Sequence, residues 1–256
     1  MVVTVSGAPI LVYVLASIRI VAWLLIVPPF STKAVPTVAK ILLALALALA
    51  IAPQLAGRPL PTDAVGFLGT AVQEALIGTV MGFVAFLVFA AIQAAGDLID
   101  LFGGFQIAQA FDPLSQNMNS INGKLFTMLG TMLMFASNMH LLVIGGLLRT
   151  FGTVPVGGSW KPSGSVTDVL TTAFSLFFTS AIQIALPLIA VLFLADLGLA
   201  LLTRVAPQLQ AINIMFPAKI GLTLLLVGLS FAVLPNAMMS MLEMLSKAMA
   251  ALVAPS

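Results

Sequence analysis

Ile107 to Asn122 reads I-A-Q-A-F-D-P-L-S-Q-N-M-N-S-I-N and lies between two long apolar segments near the middle of the chain. The stretch has no helical pattern. Asp112-Pro113 pushes the residue before the proline out of the α region. Ser115, Asn117, Asn119, Ser120 and Asn122 favour turns over helix interior. Phe111, Leu114, Met118 and Ile121 are nevertheless too apolar for a plain solvent loop. Irregular backbone at membrane depth is tolerated only where it is buried in protein or lines a watery cavity. Two readings stand: a loop that lines or closes a passage, or an ordinary surface loop between two spans.

The flanks of this loop set the class. The chain has 256 residues, of which 61% are hydrophobic and 7% charged, and its mean hydropathy is +1.19. Soluble domains carry about 25% charged residues, so the expected fold is an all-α integral membrane protein built of long helical hairpins. A net charge of +2 gives no argument for nucleic acid. With no cysteine there is no disulfide, thiol nucleophile or cysteine metal site. A single histidine, His140, cannot build a histidine metal cluster. No Lys or Arg precedes Arg19, so the basic n-region of a cleaved signal is missing and the first apolar segment is expected to stay.

A transmembrane helix needs about 20 mostly apolar residues. The candidates are Pro9–Phe30, Val38–Ala52, Phe67–Ala95, Lys124–Thr150, Val169–Thr203 and Ile214–Met249, which gives five or six spans. The last two are long enough to kink at Pro187 or Pro235, or to fold back. Breaks are expected at Pro28 to Pro36, Pro53 to Pro61, the central loop, Gly152 to Gly164 and Pro207 to Pro217. Lys33, Lys40, Lys124, Arg204 and Lys219 fall on one side, and Arg58, Arg149, Lys161 and Lys247 on the other. That near-balance does not set an orientation.

Three charges interrupt the apolar runs: Arg19, Glu74 and Asp196. Charges in lipid are costly and are paired or face a cavity, so these are structural pairs or parts of a proton relay. Glu74, Gly78, Gly82, Gln93, Asp97 and Asp100 fall on one side of the third segment at 100° per residue. Gly78 and Gly82 form G-x-x-x-G, which lets helices approach closely. The side is therefore expected to pack on protein rather than lipid. Thr172, Ser175, Thr179 and Gln183 make a similar stripe on the fifth segment, for packing or for a pore. No G-x-S-x-G, H-E-x-x-H or P-loop occurs, and His140 has no acid at a helical spacing. The chain is not expected to be an enzyme. The thirteen methionines suit adaptable packing surface or core.

The ordered landmarks resemble a known family. Arg19, Pro28-Pro29-Phe30 and Val35-Pro36 resemble its opening, and Glu74…Gly78…Gly82 with Gln93…Gly96…Asp100 its next block. Phe111-Asp112-Pro113, His140 and Thr150-Phe151…Pro155-Val156-Gly157 follow in order. Arg204-Val-Ala-Pro-Gln-Leu209 with Phe216-Pro217-Ala218-Lys219 is similar to R-x-x-P-Q-L-N-x-F-x-x-G-x-P-x-K. Gln210, Ile212 and Met215 depart from that pattern. The resemblance is to the FliR/SctT/YscT/SpaR family of type III export-gate proteins, with the Asp-Pro loop and His140 favouring the flagellar branch over the injectisome branch.

The resemblance implies a channel-forming component that assembles with FliP-like and FliQ-like subunits into a helical export gate in the bacterial inner membrane. It further implies FlhB-like and FlhA-like export proteins and the basal-body ring as neighbours, unfolded flagellar subunits as cargo, and no cofactor. Residues 1–165 would form a FliP-like part and residues 166–256 a FliQ-like part, with the loop 107–122 as a plug carrying Phe111, Asp112, Pro113, Leu114, Met118 and Ile121. Arg19, Glu74, Gly78, Gly82, Gln93, Asp100, Arg204, Pro207, Gln208, Leu209, Pro217 and Lys219 would pack helices or partners. The competing reading is a small secondary transporter with Arg19, Glu74 and Asp196 at one midplane site. No inverted repeat supports it.

Overall fold

Leu and Ala are the commonest residues of the apolar runs, and both favour helix. The computed structural model describes residues 8–55, 61, 63–105, 120–158, 166–205 and 211–253. Its ordered elements are α1 (Ala8–Leu24), α2 (Thr37–Leu55), α3 (Ala64–Gly103), α4 (Ile121–Ala136), α5 (Met139–Thr153), α6 (Val166–Val205), α7 (Ala211–Ser230) and α8 (Leu234–Val253). Among the described residues there is no strand.

The chain divides into two compact units. The first takes the described residues of Met1–Leu87, Asn138–Phe174 and Leu242–Ser256. Its core is a helical stripe on α1, with Val12, Leu15, Ala16, Ile20 and Trp23 buried. Ala44, Ala48 and Ile51 of α2, Ile77, Met81 and Val84 of α3, and Val143, Leu147 and Phe151 of α5 complete it. Tyr13 donates its hydroxyl to the Leu45 carbonyl at 2.9 Å and ties α1 to α2.

The second unit takes Val88–Ser137 and Ser175–Met241. It buries Phe89, Ile92, Ala95 and Ile99 of α3, Phe126 and Met134 of α4, Ala181, Ala185 and Leu192 of α6, and Val227 of α7.

Hydropathy overcounts the spans. Among the described residues two helices are long and apolar enough to cross a membrane, Ala64–Gly103 and Leu170–Val205, or up to four if each of two bent pairs is one span. The expected span Pro9–Phe30 becomes a shorter helix, α1 with 17 residues, while Val38–Ala52, itself short for a full span, lies within α2 with 19. α1 stops at Leu24, and the chain then coils through turns in which Val27 N–H bonds the Trp23 carbonyl and Ser31 N–H the Val27 carbonyl. The Lys124–Thr150 segment is two helices, because Asn138 between them adopts a left-handed φ of 56°.

The prolines also divide differently from expectation. Pro187 lies inside α6, which runs through it without a break. Pro235 lies in the first turn of α8, where its missing N–H was not needed. The bend of 61° falls just before it, between Ser230 and Leu234. Pro217 lies inside α7 rather than at a break, since the helix has already begun at Ala211.

Ile121 and Asn122 are corrected too. They form the first turn of α4 instead of loop, because Ser120 caps the helix by accepting the Gly123 N–H at 2.8 Å. Ile121 is exposed.

Close approach depends on missing side chains. A Cβ on Gly78 would overlap the Arg19 carbonyl oxygen, and one on Gly69 would meet nothing within 4 Å. Gly78→Ala is expected to lose about 1–3 kcal/mol through overpacking. Gly69→Ala should be neutral or stabilising by up to about 1 kcal/mol. Thermal unfolding and steady-state level of the membrane-extracted protein check this; equal behaviour of the two variants contradicts the close approach.

Candidate functional site

An arginine on the buried stripe of α1 cannot reach water, so its donors must be met inside the protein. Arg19 and Glu74 are both fully buried, and Arg19 Nε donates to Glu74 Oε2 at 2.6 Å. Arg19 Nη1 donates to the Val154 carbonyl at 3.0 Å and, more weakly, to Thr150 Oγ1 at 3.5 Å. The guanidinium lies 4.2 Å from the centroid of the Phe151 ring, a cation–π contact. Glu74 Oε1 accepts the Gly157 N–H at 3.3 Å. The turn that delivers this N–H has Gly157 at φ 75°, a left-handed conformation suited to glycine. Gln73 adds a bond from Nε2 to the Gly158 carbonyl. One ion pair therefore joins α1, α3, the end of α5 and the turn after it. Arg19 Nη2 and Trp23 Nε1 are buried with no hydrogen-bond partner among the described residues.

The second unit holds two polar centres of its own. Asp100, near the end of α3, is fully buried and accepts from Ser120 Oγ at 2.5 Å, from the Asn122 N–H at 3.1 Å and from Asn122 Nδ2. Lys219 of α7 lies 2.8 Å from each carboxylate oxygen of Asp196 on α6. This last pair is partly exposed, 14% for the lysine side chain and 35% for the aspartate.

The three charges read from sequence thus end in two ion pairs. Arg19 and Glu74 take each other, and Asp196 takes Lys219. The transporter reading used all three as binding groups, whereas here each is taken up in an ion pair. Among the described residues no group of three His, Cys, Asp or Glu could hold a metal ion.

The other sequence-predicted residues are distributed as follows. Gly82 lies against Trp23 of α1 and Ile26 in the turns that follow it. Gln93, expected to pack, is exposed on this chain, as are Arg204 and Pro217. Phe111, Asp112, Pro113, Leu114, Met118, Pro207, Gln208 and Leu209 lie outside the described residues. The stripe Thr172, Ser175, Thr179 and Gln183 is exposed, while Ala173, Ser180, Ala181 and Ala185 form the buried side of α6. Ser120, Asn122, the Val154 carbonyl and the Gly157 N–H were not foreseen as polar partners. Ser120 three residues before Gly123 is a capping signal available in the sequence; a backbone carbonyl leaves none.

The family described as bacterial export proteins, family 1, matches residues 10–245 of the chain. The chain is 37% identical to the flagellar biosynthetic protein FliR of Escherichia coli (strain K12) over 210 residues, 81% of this chain and 80% of that protein. It is 29% identical to the protein of the same name from Bacillus subtilis (strain 168) over 224 residues, 87% of this chain and 86% of that protein. It is also similar to the Yop proteins translocation protein T of Yersinia pestis, 30% identical over 222 residues and 85% of each chain.

Removing one partner of a buried ion pair costs roughly 3–5 kcal/mol, while replacing both by apolar groups is often neutral. Arg19→Met and Glu74→Leu are each expected to deplete the protein from membranes, and the double variant to recover more of it than either single. Quantitative immunoblotting of a tagged chain reads this. A double variant no better than the singles contradicts a pairwise role.

Proposed function

Because the chain belongs to family 1 of the bacterial export proteins, we propose that it is a channel-forming component of a flagellar type III protein export gate. In that role it passes unfolded flagellar subunits across the inner membrane during flagellum assembly. The observation that carries the reading is 37% identity to a flagellar biosynthetic protein over 81% of the chain. It would assemble with FliP-like and FliQ-like subunits, contact FlhB-like and FlhA-like export proteins, and sit in the basal-body ring as a multi-pass membrane protein. Residues 1–165 would supply the FliP-like part and 166–256 the FliQ-like part. The exposed polar stripe of α6 and the exposed Arg204 support contacts with other protein helices, since lipid tails satisfy neither.

The central stretch would act as the plug. Phe111, Leu114 and Met118 are apolar residues among amides and serines, and an apolar constriction blocks ions by dewetting.

The injectisome reading rests on the Yersinia relative. An in-frame deletion of the gene separates the two. Loss of filaments and of secreted flagellin, restored by a plasmid copy, supports the flagellar reading. Intact filaments with loss of secreted effector proteins supports the injectisome reading. Intact filaments and intact effector secretion overturn both.

Deletion of residues 112–119 is expected to leave the complex assembled but leaky. Membrane conductance of cells carrying the deletion, against wild type, measures the leak. An assembled complex that stays tight means the stretch is not the seal.

A further inference from the structure

Helix α3 grips two different residues in the same manner, once in each unit. In the first, Glu74 takes the Arg19 side chain, and Gly78 one turn later leaves room for the Arg19 carbonyl. In the second, Asp100 takes the Asn122 side chain, and Gly96 one turn earlier leaves room for the Asn122 carbonyl, whose oxygen would lie 2.6 Å from an added Cβ. An acid and a glycine four residues apart thus hold the side chain and the backbone of one residue on another helix.

The second grip has a particular location. Asp100 precedes the end of α3 at Gly103, and Gly104 turns the chain with a left-handed φ of 82°. Asn122 lies in the first turn of α4, the next described element after Phe105 and Ser120. Asp100 Oδ2 accepts both Ser120 Oγ and the Asn122 N–H, and Ser120 Oγ accepts the Gly123 N–H. Two first-turn N–H groups of α4, those of Asn122 and Gly123, are therefore met by Asp100 and by a serine that Asp100 itself holds. A negative carboxylate at the positive end of a helix is favourably placed, and hydrogen bonds to an ionised acceptor are the strong ones. Asp100 is 0% exposed and Asn122 1%, so the bonds between these two residues are shielded from water, while those of Ser120 are part-buried.

We propose that Asp100 is a positioning residue that fastens the first turn of α4 to the last turns of α3, so that their mutual placement does not depend on the chain joining them. The two ends of residues 106–119 are then set by one carboxylate and its three donors. This inference concerns the described residues on either side of that chain and stands without the export reading; its test reads local hydrogen exchange, so its failure leaves that reading untouched.

The experiment uses the full chain, purified in detergent with the subunits it co-purifies with. A sequence-specific protease site replaces residues 112–117. Amide exchange is followed at Asn122 and Gly123 before and after cleavage. Cleavage alone is expected to change their exchange by less than about threefold, whereas Asp100→Ala should speed it by about tenfold or more, with α1 and α2 unchanged. Ser120→Ala removes one donor to Asp100 and the acceptor of the Gly123 N–H, so it should speed exchange at Gly123 directly and change Asn122 less than Asp100→Ala does. The exchanged pair Asp100→Asn with Asn122→Asp keeps an amide facing a carboxylate, and should restore exchange to within about threefold of wild type. Release of the first turn by cleavage alone overturns the proposal, and so does unchanged exchange in Asp100→Ala. If Asp100→Ala fails to accumulate, the exchanged pair decides: recovery of the protein supports the proposal, and no recovery overturns it.

Discussion

A guanidinium held out of water governs the first unit. Arg19 has no exposed atom, and an unmet buried charge costs more than a helix contact returns. Its donors must find Glu74 and the Val154 carbonyl, so α1, α3 and the end of α5 have to meet at one place. That meeting then dictates size. The α3 backbone approaches Arg19 so closely that position 78 admits only glycine without displacement. Charge and small volume are therefore two halves of one requirement: Glu74 faces the arginine side chain and Gly78 faces its carbonyl. The cation–π contact with Phe151 covers the guanidinium face that hydrogen bonds cannot use.

Much of this was legible before any coordinates. Arg19, Glu74 and Asp196 stand out as charges in apolar runs, and cost alone argues that they pair. The pairing Arg19–Glu74 joins residues 55 apart in sequence, and nothing in a single sequence gives that separation. Half of the partners are backbone groups, the Val154 carbonyl and the Gly157 N–H, which every residue type but proline carries in full. The polar side of α3 was read as one stripe, and most of it is buried, but Gln93 is exposed. Helical angle places a residue on a face; it does not say where the neighbouring helix ends.

The span count failed for a related reason. Hydropathy treats every apolar residue as facing lipid, whereas Leu15, Ile20 and Trp23 of α1 face protein. A segment that buries its apolar stripe in its own unit does not need the full length of about 20 residues that a bilayer demands. The prolines misled in the opposite direction. Pro187 suggested a kink, yet one missing donor in a 40-residue helix removes one bond of a long ladder. The real break between α4 and α5 comes at Asn138, a residue that tolerates the left-handed region better than most. Ser137-Asn138 is a turn signal that the sequence offers inside an apolar run.

The surface of α6 carries the remaining constraint. Only 11% of its apolar window is buried within the chain, against 61% for α3. Phe178, Leu186, Phe193 and Leu194 are exposed, too many large apolar groups for a face meant for water. Thr172, Ser175, Thr179 and Gln183 are exposed as well. Hydroxyls can return their hydrogen bond to the helix, as Thr172 does with the Asp168 carbonyl, but the Gln183 amide cannot be satisfied by hydrocarbon. A helix too apolar for water and too polar for lipid along one stripe is best matched by other helices. The proposed assembly would supply that environment: the stripe would meet polar groups of a neighbouring subunit and the large apolar residues would fill the rest of the contact. Because Asp196, the one charge of α6 between Asp168 and Arg204, is taken by Lys219, most of what that length of α6 offers outward is shape, apolar area and hydrogen-bonding amides and hydroxyls. Such a surface selects partners by fit rather than by long-range attraction.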